Sequence, residues 1–249
     1  MQFYTDITLY FSVLPRDLVA NHLRRFCFNY RGMRRYLTIE VPEKGNISFD
    51  AHGNLIACSF QRRCVSVYNG STLIKRIGPL PLKVWCCVTD DNDRCYITQE
   101  TKIVVGDDKH INLHGELPFG LSVSNEKLYV CTLTGVKVFD TNTCEMIEGF
   151  GDGPCRCVAT SPRGLFVGFP EAVLTPTCTF PVFLPRQLAV DADDNIYVTR
   201  GVNNCVSVFT VDGEPLGTID FKFENPFGIA ISRFGVLAVS DNVGIHLFQ

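Results

Sequence analysis

The side chains that most often do chemistry are scattered along this sequence rather than grouped. Its histidines are His22, His52, His110, His114 and His246. None of them stands with cysteines at the spacing of a zinc finger. The acidic clusters at 90–93 and 191–194 have the Asp and Asn composition of turns, so we interpret them as turns. We therefore expect no catalytic residue, no metal site and no cofactor, and we expect that the protein is not an enzyme.

The cysteines indicate core packing rather than disulfides or metal binding. There are twelve of them, and no two have the spacing Cys-x-x-Cys. Most replace Val or Ile in apolar runs, as Cys95, Cys131 and Cys205 do. A buried free thiol behaves as a small hydrophobic group, so this usage predicts reduced thiols and a cytoplasmic, reducing compartment. A redox or metal role for the neighbouring cysteines 86 and 87, or 155 and 157, is the alternative.

A further set of residues suits binding to a partner, because Trp and Arg are enriched at the hot spots of protein interfaces. We predict that six residues contact a protein partner: Trp85, Phe119, Arg156, Arg186, Gln187 and Phe227. RNA is the alternative, since single-stranded bases stack on aromatic rings and Arg binds phosphate. Two arginines are few, the adjoining turns are acidic and the net charge is −3, so nucleic acid is the less favoured partner.

A sequence repeat gives these six residues a common position. Its clearest copy covers 184–198, 204–209 and 212–219, and consists of four apolar runs separated by polar turns. Four short strands in up-and-down order form one blade of a β-propeller. Six copies can be aligned at the apolar residue after their first turn: Leu55, Cys95, Leu128, Leu165, Ile196 and Leu237. The six candidate residues all come just before the first strand of a copy, which places them at one end of the central channel.

The last copy ends after three strands, and its fourth strand is found near the start of the chain. Residues 36–41 and the segment that follows them resemble 216–221 and its continuation. We predict that 36–41 form the outer strand of the last blade, which closes the ring and leaves no long unpaired edge there. The predicted fold is all-β, a six-bladed propeller of four-stranded antiparallel blades. Blade 4 contains Pro170, Pro176 and Pro181, which predict an irregular outer edge.

Residues from about 36 to 249 resemble the NHL-repeat family of six-bladed propellers. The similarity is clearest in the segment 185–198, with its Leu-Ala-Val-Asp and Asp-Asn-Ile-Tyr-Val runs, and in 206–213. The chain departs from the family where an Asp usually follows the second strand, because Thr199 and Arg200 stand there in blade 5. Only blade 6 keeps Ser-Asp-Asn, at 240–242. The resemblance implies the fold more firmly than any activity.

The first 33 residues form a separate segment that precedes the propeller at 34–249. Residues 14–28 predict a helix, with Pro15 suited to its first turn and an apolar stripe that includes Leu14, Leu18 and Leu23. The opening Leu-Pro-x-Asp-Leu-Val resembles the first helix of an F-box and the F-box-like headers that precede repeat domains in large DNA viruses. That likeness implies docking to a ubiquitin-ligase adaptor or a virion-assembly partner. Packing against the propeller is the alternative.

Hydropathy and charge indicate neither a membrane protein nor a secreted one. No apolar run approaches the roughly 18 residues that span a bilayer, and the N-terminus lacks a basic signal-peptide region, so we expect no membrane contact and no secretion. If the chain is viral, a place in the virion is possible. Together these features predict a non-catalytic scaffold for protein–protein interaction. An RNA-binding propeller and a propeller hydrolase or lyase are the alternatives.

Overall fold

The computed structural model describes residues 33–40, 45–107 and 109–249. The predicted docking helix with Leu14, Pro15, Leu18 and Leu23 lies outside the described residues. The division of the chain into 1–33 and 34–249 therefore stays a prediction.

Within the described ranges, 24 strands form six antiparallel sheets of four strands each. Each sheet is one blade of a propeller, and the blades are numbered along the chain. Blade 1 contains β2 (Ile47–Phe49), β3 (Leu55–Ser59), β4 (Cys64–Asn69) and β5 (Thr72–Ile77). Blade 2 contains β6 (Cys87–Thr89), β7 (Cys95–Gln99), β8 (Lys102–Val105) and β9 (Lys109–Asn112). Blade 3 contains β10 (Gly120–Ser124), β11 (Lys127–Thr132), β12 (Gly135–Asp140) and β13 (Met146–Phe150).

The remaining three blades follow the same order from the channel outward. Blade 4 contains β14 (Cys157–Ser161), β15 (Gly164–Gly168), β16 (Ala172–Leu174) and β17 (Thr179–Pro181). Blade 5 contains β18 (Leu188–Val190), β19 (Ile196–Arg200), β20 (Cys205–Phe209) and β21 (Pro215–Ile219). Blade 6 contains β22 (Ile229–Ile231), β23 (Leu237–Ser240), β24 (Ile245–Phe248) and, outermost, β1 (Arg35–Ile39). The short strands β16 and β17 agree with the irregular edge predicted for blade 4.

The first described strand closes the ring. β1 pairs antiparallel with β24, so that Thr38 lies opposite His246 and Ile39 opposite Ile245. Each inner strand also packs against the inner strand of the next blade, including β22 against β2. The predicted six-bladed fold and its closing strand are confirmed. The strand begins one residue before the predicted start at position 36.

The core lies between the blades rather than inside any one of them. In β19, Tyr197 packs toward blade 6 with Leu237 and Phe248, whereas Ile196 and Val198 pack toward blade 4. Both faces of an inner or second strand are therefore buried, which explains why these strands read as continuous apolar runs. The outer strands behave differently, since every residue of β13 is exposed.

The cysteines belong to this core. All eleven in the described part of the chain are free thiols, and most are buried, as predicted. Cys58 and Cys87 pack between blades 1 and 2, and Cys131 and Cys155 pack between blades 3 and 4. No helix in the described ranges is long and apolar enough to cross a membrane.

Candidate partner-binding face

The six predicted residues are brought to one side of the propeller. Each lies immediately before an inner strand or one residue further upstream, in blades 2 to 6. We call the side on which the inner strands begin the upper face, and the opposite side the lower face. Because the strands alternate in direction, the loops after every second and fourth strand also lie on the upper face.

Buried hydroxyl groups hold the starts of the inner strands, and the sequence analysis missed them. Thr199 Oγ1 accepts the N–H of Gln187 (3.1 Å) and donates to the carbonyl of Phe227 in the next blade (2.7 Å). Ser240 Oγ accepts the N–H of Gly228 (2.8 Å) and donates to the carbonyl of Gly45 (3.2 Å). These two hydroxyls thus join blade 5 to blade 6 and blade 6 to blade 1.

Replacing Thr199 by Val should lower the free energy of unfolding by about 1–3 kcal/mol, because the shape is kept while Gln187 N–H and Phe227 C=O lose their bonding group. Urea denaturation followed by circular dichroism measures the change. Thr199→Ser keeps the hydroxyl and should lose less. A Val variant as stable as the wild type would show that this hydroxyl does not join the two blades energetically.

The side chain of Gln187 reaches other blades across the channel and forms hydrogen bonds with their backbone. Its Nε2 donates to the carbonyl of Ile47 in blade 1 (3.0 Å), and its Oε1 accepts the N–H of Ile229 in blade 6 (2.9 Å). Both ends of the amide are therefore used inside the ring. Gln187 therefore has a structural role in this geometry, and it is not among the residues proposed below to bind a partner.

The aromatic candidates Trp85, Phe119 and Phe227 are half-buried. Trp85 packs against Phe60 with the ring planes tilted by 48° and the centroids 4.2 Å apart, and Lys83 Nζ lies 4.6 Å from the centroid of Phe60. Phe119 contacts the apolar cluster between blades 3 and 4. Phe227 lies beneath Arg186, whose Cζ is 5.6 Å from its centroid. Each ring is thus held in place while part of it faces solvent.

Arg156 and Arg186 are the basic residues among the six candidates, and both stand close before an inner strand. Arg156 is exposed, and Arg186 is half-buried. Burial lowers the pKa of Arg186, and the nearby charge of Arg156 lowers it further. Neither guanidinium forms a salt bridge with a carboxylate of the described residues. The two positive charges thus lie near each other, and no described carboxylate pairs with either of them.

Exposed apolar side chains are distributed unevenly between the two faces. Five of the large ones in the described ranges lie in upper-face loops: Leu117, Leu133, Phe183, Val202 and Val243. Only Phe234 among them lies in a lower-face turn, and the rest are on outer strands. We call these five residues the apolar rim. Loop residues of this kind follow no strand periodicity, so the sequence analysis had no signal for them.

The acidic turns lie on the lower face. Asp90 Oδ1 accepts the N–H groups of Asn92 (3.0 Å) and Arg94 (2.9 Å), and Asp191 Oδ1 accepts those of Asp193 and Asn195 (both 2.9 Å). These carboxylates cap their own turns, which confirms the interpretation of the acidic clusters. In the described part of the chain, no group of three His, Cys, Asp or Glu side chains is placed to hold a metal ion.

Comparison with known proteins supports the fold and little beyond it. Neither a protein-family model nor a curated protein matches the chain. Among solved structures, the chain is similar to one described as a streptogramin B lyase, with a TM-score of 0.65 and 13% sequence identity. The match covers 87% of this chain and 97% of the other. At that identity the likeness shows a shared fold alone, so the NHL resemblance and the F-box-like helix stay predictions.

The comparison corrects one prediction. We expected that the protein is not an enzyme, and that conclusion was wrong, because a protein of the same architecture is named as a lyase. One fold can serve in an enzyme as well as in a binding protein, so the propeller fold does not exclude catalysis. The mistake arose from treating the scattered histidines and the turn-like acidic clusters as evidence against any catalysis.

Proposed function

We propose that this propeller binds a protein partner through its upper face. The observation that carries the proposal is the concentration of exposed apolar residues there, five against one on the lower face. Exposed apolar residues gathered on one face are typical of an interaction site. Trp85, Phe119 and Phe227 add anchored aromatic surface, and Arg156 and Arg186 add polar specificity.

Two finer features belong to the same proposal. We infer membership of the NHL-type propellers from the residues of 185–198, and a reducing, cytoplasmic setting from the free buried thiols. The N-terminal helix with Leu14, Pro15, Leu18 and Leu23 is a second docking element in this proposal, for an adaptor or assembly protein. These features rest on sequence and chemistry rather than on the comparisons.

The proposal is tested by affinity capture with charge-inserting variants. Val202 on the upper face and Met146 on the outer strand β13 are 64% and 59% exposed, so an Asp at either position leaves the core intact. We expect Val202→Asp to reduce recovery of a specific protein partner by at least about tenfold, because a charge replaces apolar contact area. Met146→Asp should retain it. Deletion of residues 1–32 separates the helix from the propeller as the docking element.

Other outcomes would overturn the proposal. Equal recovery with Val202→Asp and the wild type would remove the upper face as the docking surface. Recovery of nucleic acid instead of protein, with release at high salt, would replace the protein partner with RNA.

A further inference from the structure

The upper face also indicates the chemistry of its partner, an inference that rests on the proposed function. We propose that Arg156 and Arg186 bind an acidic side chain of a partner segment, and that apolar residues beside that acid contact the rim and an adjoining cavity. The partner is therefore a protein segment in which Asp or Glu is flanked by large apolar residues.

The first step in the argument is that the two guanidinium groups are placed by the fold. Arg156 and Arg186 precede β14 and β18, which are neighbouring inner strands that pack together. Two like charges on adjacent strands repel each other, and no salt bridge with a described carboxylate offsets that repulsion. A carboxylate placed between them would remove the repulsion and accept charge-assisted hydrogen bonds.

The second step is that Arg186 is held in position before any ligand arrives. Its Nη1 donates to the carbonyl of Pro226 (3.4 Å), and its guanidinium lies over the ring of Phe227. It also lies so close to Gly201 that a Cβ at that position would overlap it. A guanidinium fixed in this way loses less conformational freedom when it binds a carboxylate.

The third step concerns the surface beside Arg156. A cavity of about 440 Å³ opens between the loop at 151–154 and the segment at 169–172, both on the upper face. The backbone N–H of Arg156 donates to the carbonyl of Gly168 (2.8 Å), which places Arg156 where the two walls of the cavity meet. Pro154, Phe169 and Pro170 line the cavity, and its acidic members are Asp152 and Glu171. Those carboxylates would repel an acid, so the cavity suits an apolar side chain and the arginine pair suits the acid.

Charge and geometry favour a protein segment over a nucleic acid. A phosphate backbone presents a series of negative charges and requires a row of cations, whereas in the described ranges the only cations in the two positions before an inner strand are Arg156 and Arg186. The aliphatic rim residue Val202 lies in the loop next to Arg186, and a side chain of this type neither stacks on a base nor binds phosphate. An acidic residue within an apolar segment satisfies both parts of the surface.

The inference is tested by selecting peptides from a displayed random dodecapeptide library with the wild-type protein, then measuring affinities by fluorescence anisotropy. We expect selected sequences to be enriched in Asp or Glu beside Leu, Phe or Trp. Changing the acid of a selected peptide to its amide should weaken binding on the order of tenfold or more, and Arg156→Gln and Arg186→Gln should each do the same.

A glycine pair provides a matched control. Gly201→Ala displaces the flexible end of Arg186 and should weaken binding of the selected peptide several-fold. Gly149→Ala lies on the exposed outer strand β13, where its Cβ would meet only the carbonyl of Val136 at 3.6 Å, and should leave binding unchanged. Neither glycine has the positive φ that would strain an alanine. Comparable affinities for both variants would contradict the role given to Arg186.

The outcomes separate this inference from the proposed function. Peptides that bind the upper face, lose affinity with Val202→Asp and show no preference for acids would overturn the acidic partner while leaving the docking face in place. A library that yields no upper-face peptide would count against both. Tighter, strongly salt-dependent binding of a single-stranded oligouridine probe would replace the protein segment with RNA.

Discussion

Substituting Asp241 by Ala should destabilise the protein by about 3 kcal/mol, because three backbone donors lose one acceptor group. Asp241 Oδ2 accepts the N–H of Glu224 (2.9 Å), and Oδ1 accepts those of Val243 (2.8 Å) and Gly244 (3.0 Å). The carboxylate is only 4% exposed, so water cannot readily replace it. It also lies 3.0 Å from Nε2 of His246, a residue of β24 that faces the closing strand.

The pH dependence of unfolding provides a second measurement at this residue. Burial raises the pKa of Asp241, but the N–H groups of Glu224, Gly244 and Val243 and the His246 side chain together lower it below its ordinary value. The folded state therefore binds its proton less readily than the unfolded state. The stability that this group contributes is present above pH about 4 and is lost as the pH falls through the lowered pKa.

Asp241→Asn is the matched control for both measurements. It keeps the shape and one acceptor oxygen, so we expect a smaller loss at neutral pH than for Ala. Its stability should also lack the component that the wild type loses below pH about 4. Denaturant titrations at pH 7 and pH 3 test this. If Asn and wild type lose stability in parallel, Asp241 is not the titrating group.

The sequence predicted the ring because the ring is repetitive. Leu55, Leu128 and Ile196 recur at corresponding places, and each lies at or next to the start of the second strand of its blade. The closing strand was predictable for the same reason, since 36–41 resemble an outer strand of another copy. A repeat fixes which residues become strands, and strand order follows from the short turns between them.

Contacts that depend on closure were not predictable. Gln187 bonds Ile47, 140 positions earlier in the chain, and no local pattern relates these two residues. The hydroxyl groups that hold the starts of the inner strands were predictable, because Thr98, Thr199 and Ser240 occupy the same place at or near the end of the second strand. Aligning that position across the blades would have shown the recurring Ser or Thr.

The sequence predicted where the six candidate residues lie in the fold, and only partly which of them face solvent. Residues before the inner strands reach the upper face because strand direction alternates from the channel outward. Whether such a residue faces solvent depends on its neighbours in the next blade: Arg156 is exposed, whereas the amide of Gln187 is used inside the ring. Sequence alone therefore placed these residues on one side of the propeller and did not separate the exposed ones from those used inside the ring.

Truncating Tyr197 to Ala should lower the free energy of unfolding by about 3–5 kcal/mol, the largest single effect that we predict. Tyr197 is fully buried in the cluster between blades 5 and 6, where it packs with Ile229, Leu237 and Phe248. Removing the phenol ring leaves a cavity between blades 5 and 6. The other blades of the closed propeller hold these two blades apart. Because neighbouring inner strands support one another, the surrounding side chains cannot collapse fully into the space.

Two controls separate the ring of Tyr197 from its hydroxyl group and from general effects of aromatic truncation. Tyr197→Phe keeps the aromatic ring and removes the hydrogen bond from the hydroxyl to Asp191 Oδ2 (3.0 Å), and we expect a loss of about 1 kcal/mol because Asp191 keeps its turn donors. Phe183→Ala truncates an aromatic residue that is 55% exposed on the upper face, and should change stability by no more than about 0.5 kcal/mol. Urea titrations of the three variants measure these differences. A Tyr197→Ala loss no larger than that of Tyr197→Phe would mean that the packing between blades 5 and 6 does not stabilise the ring.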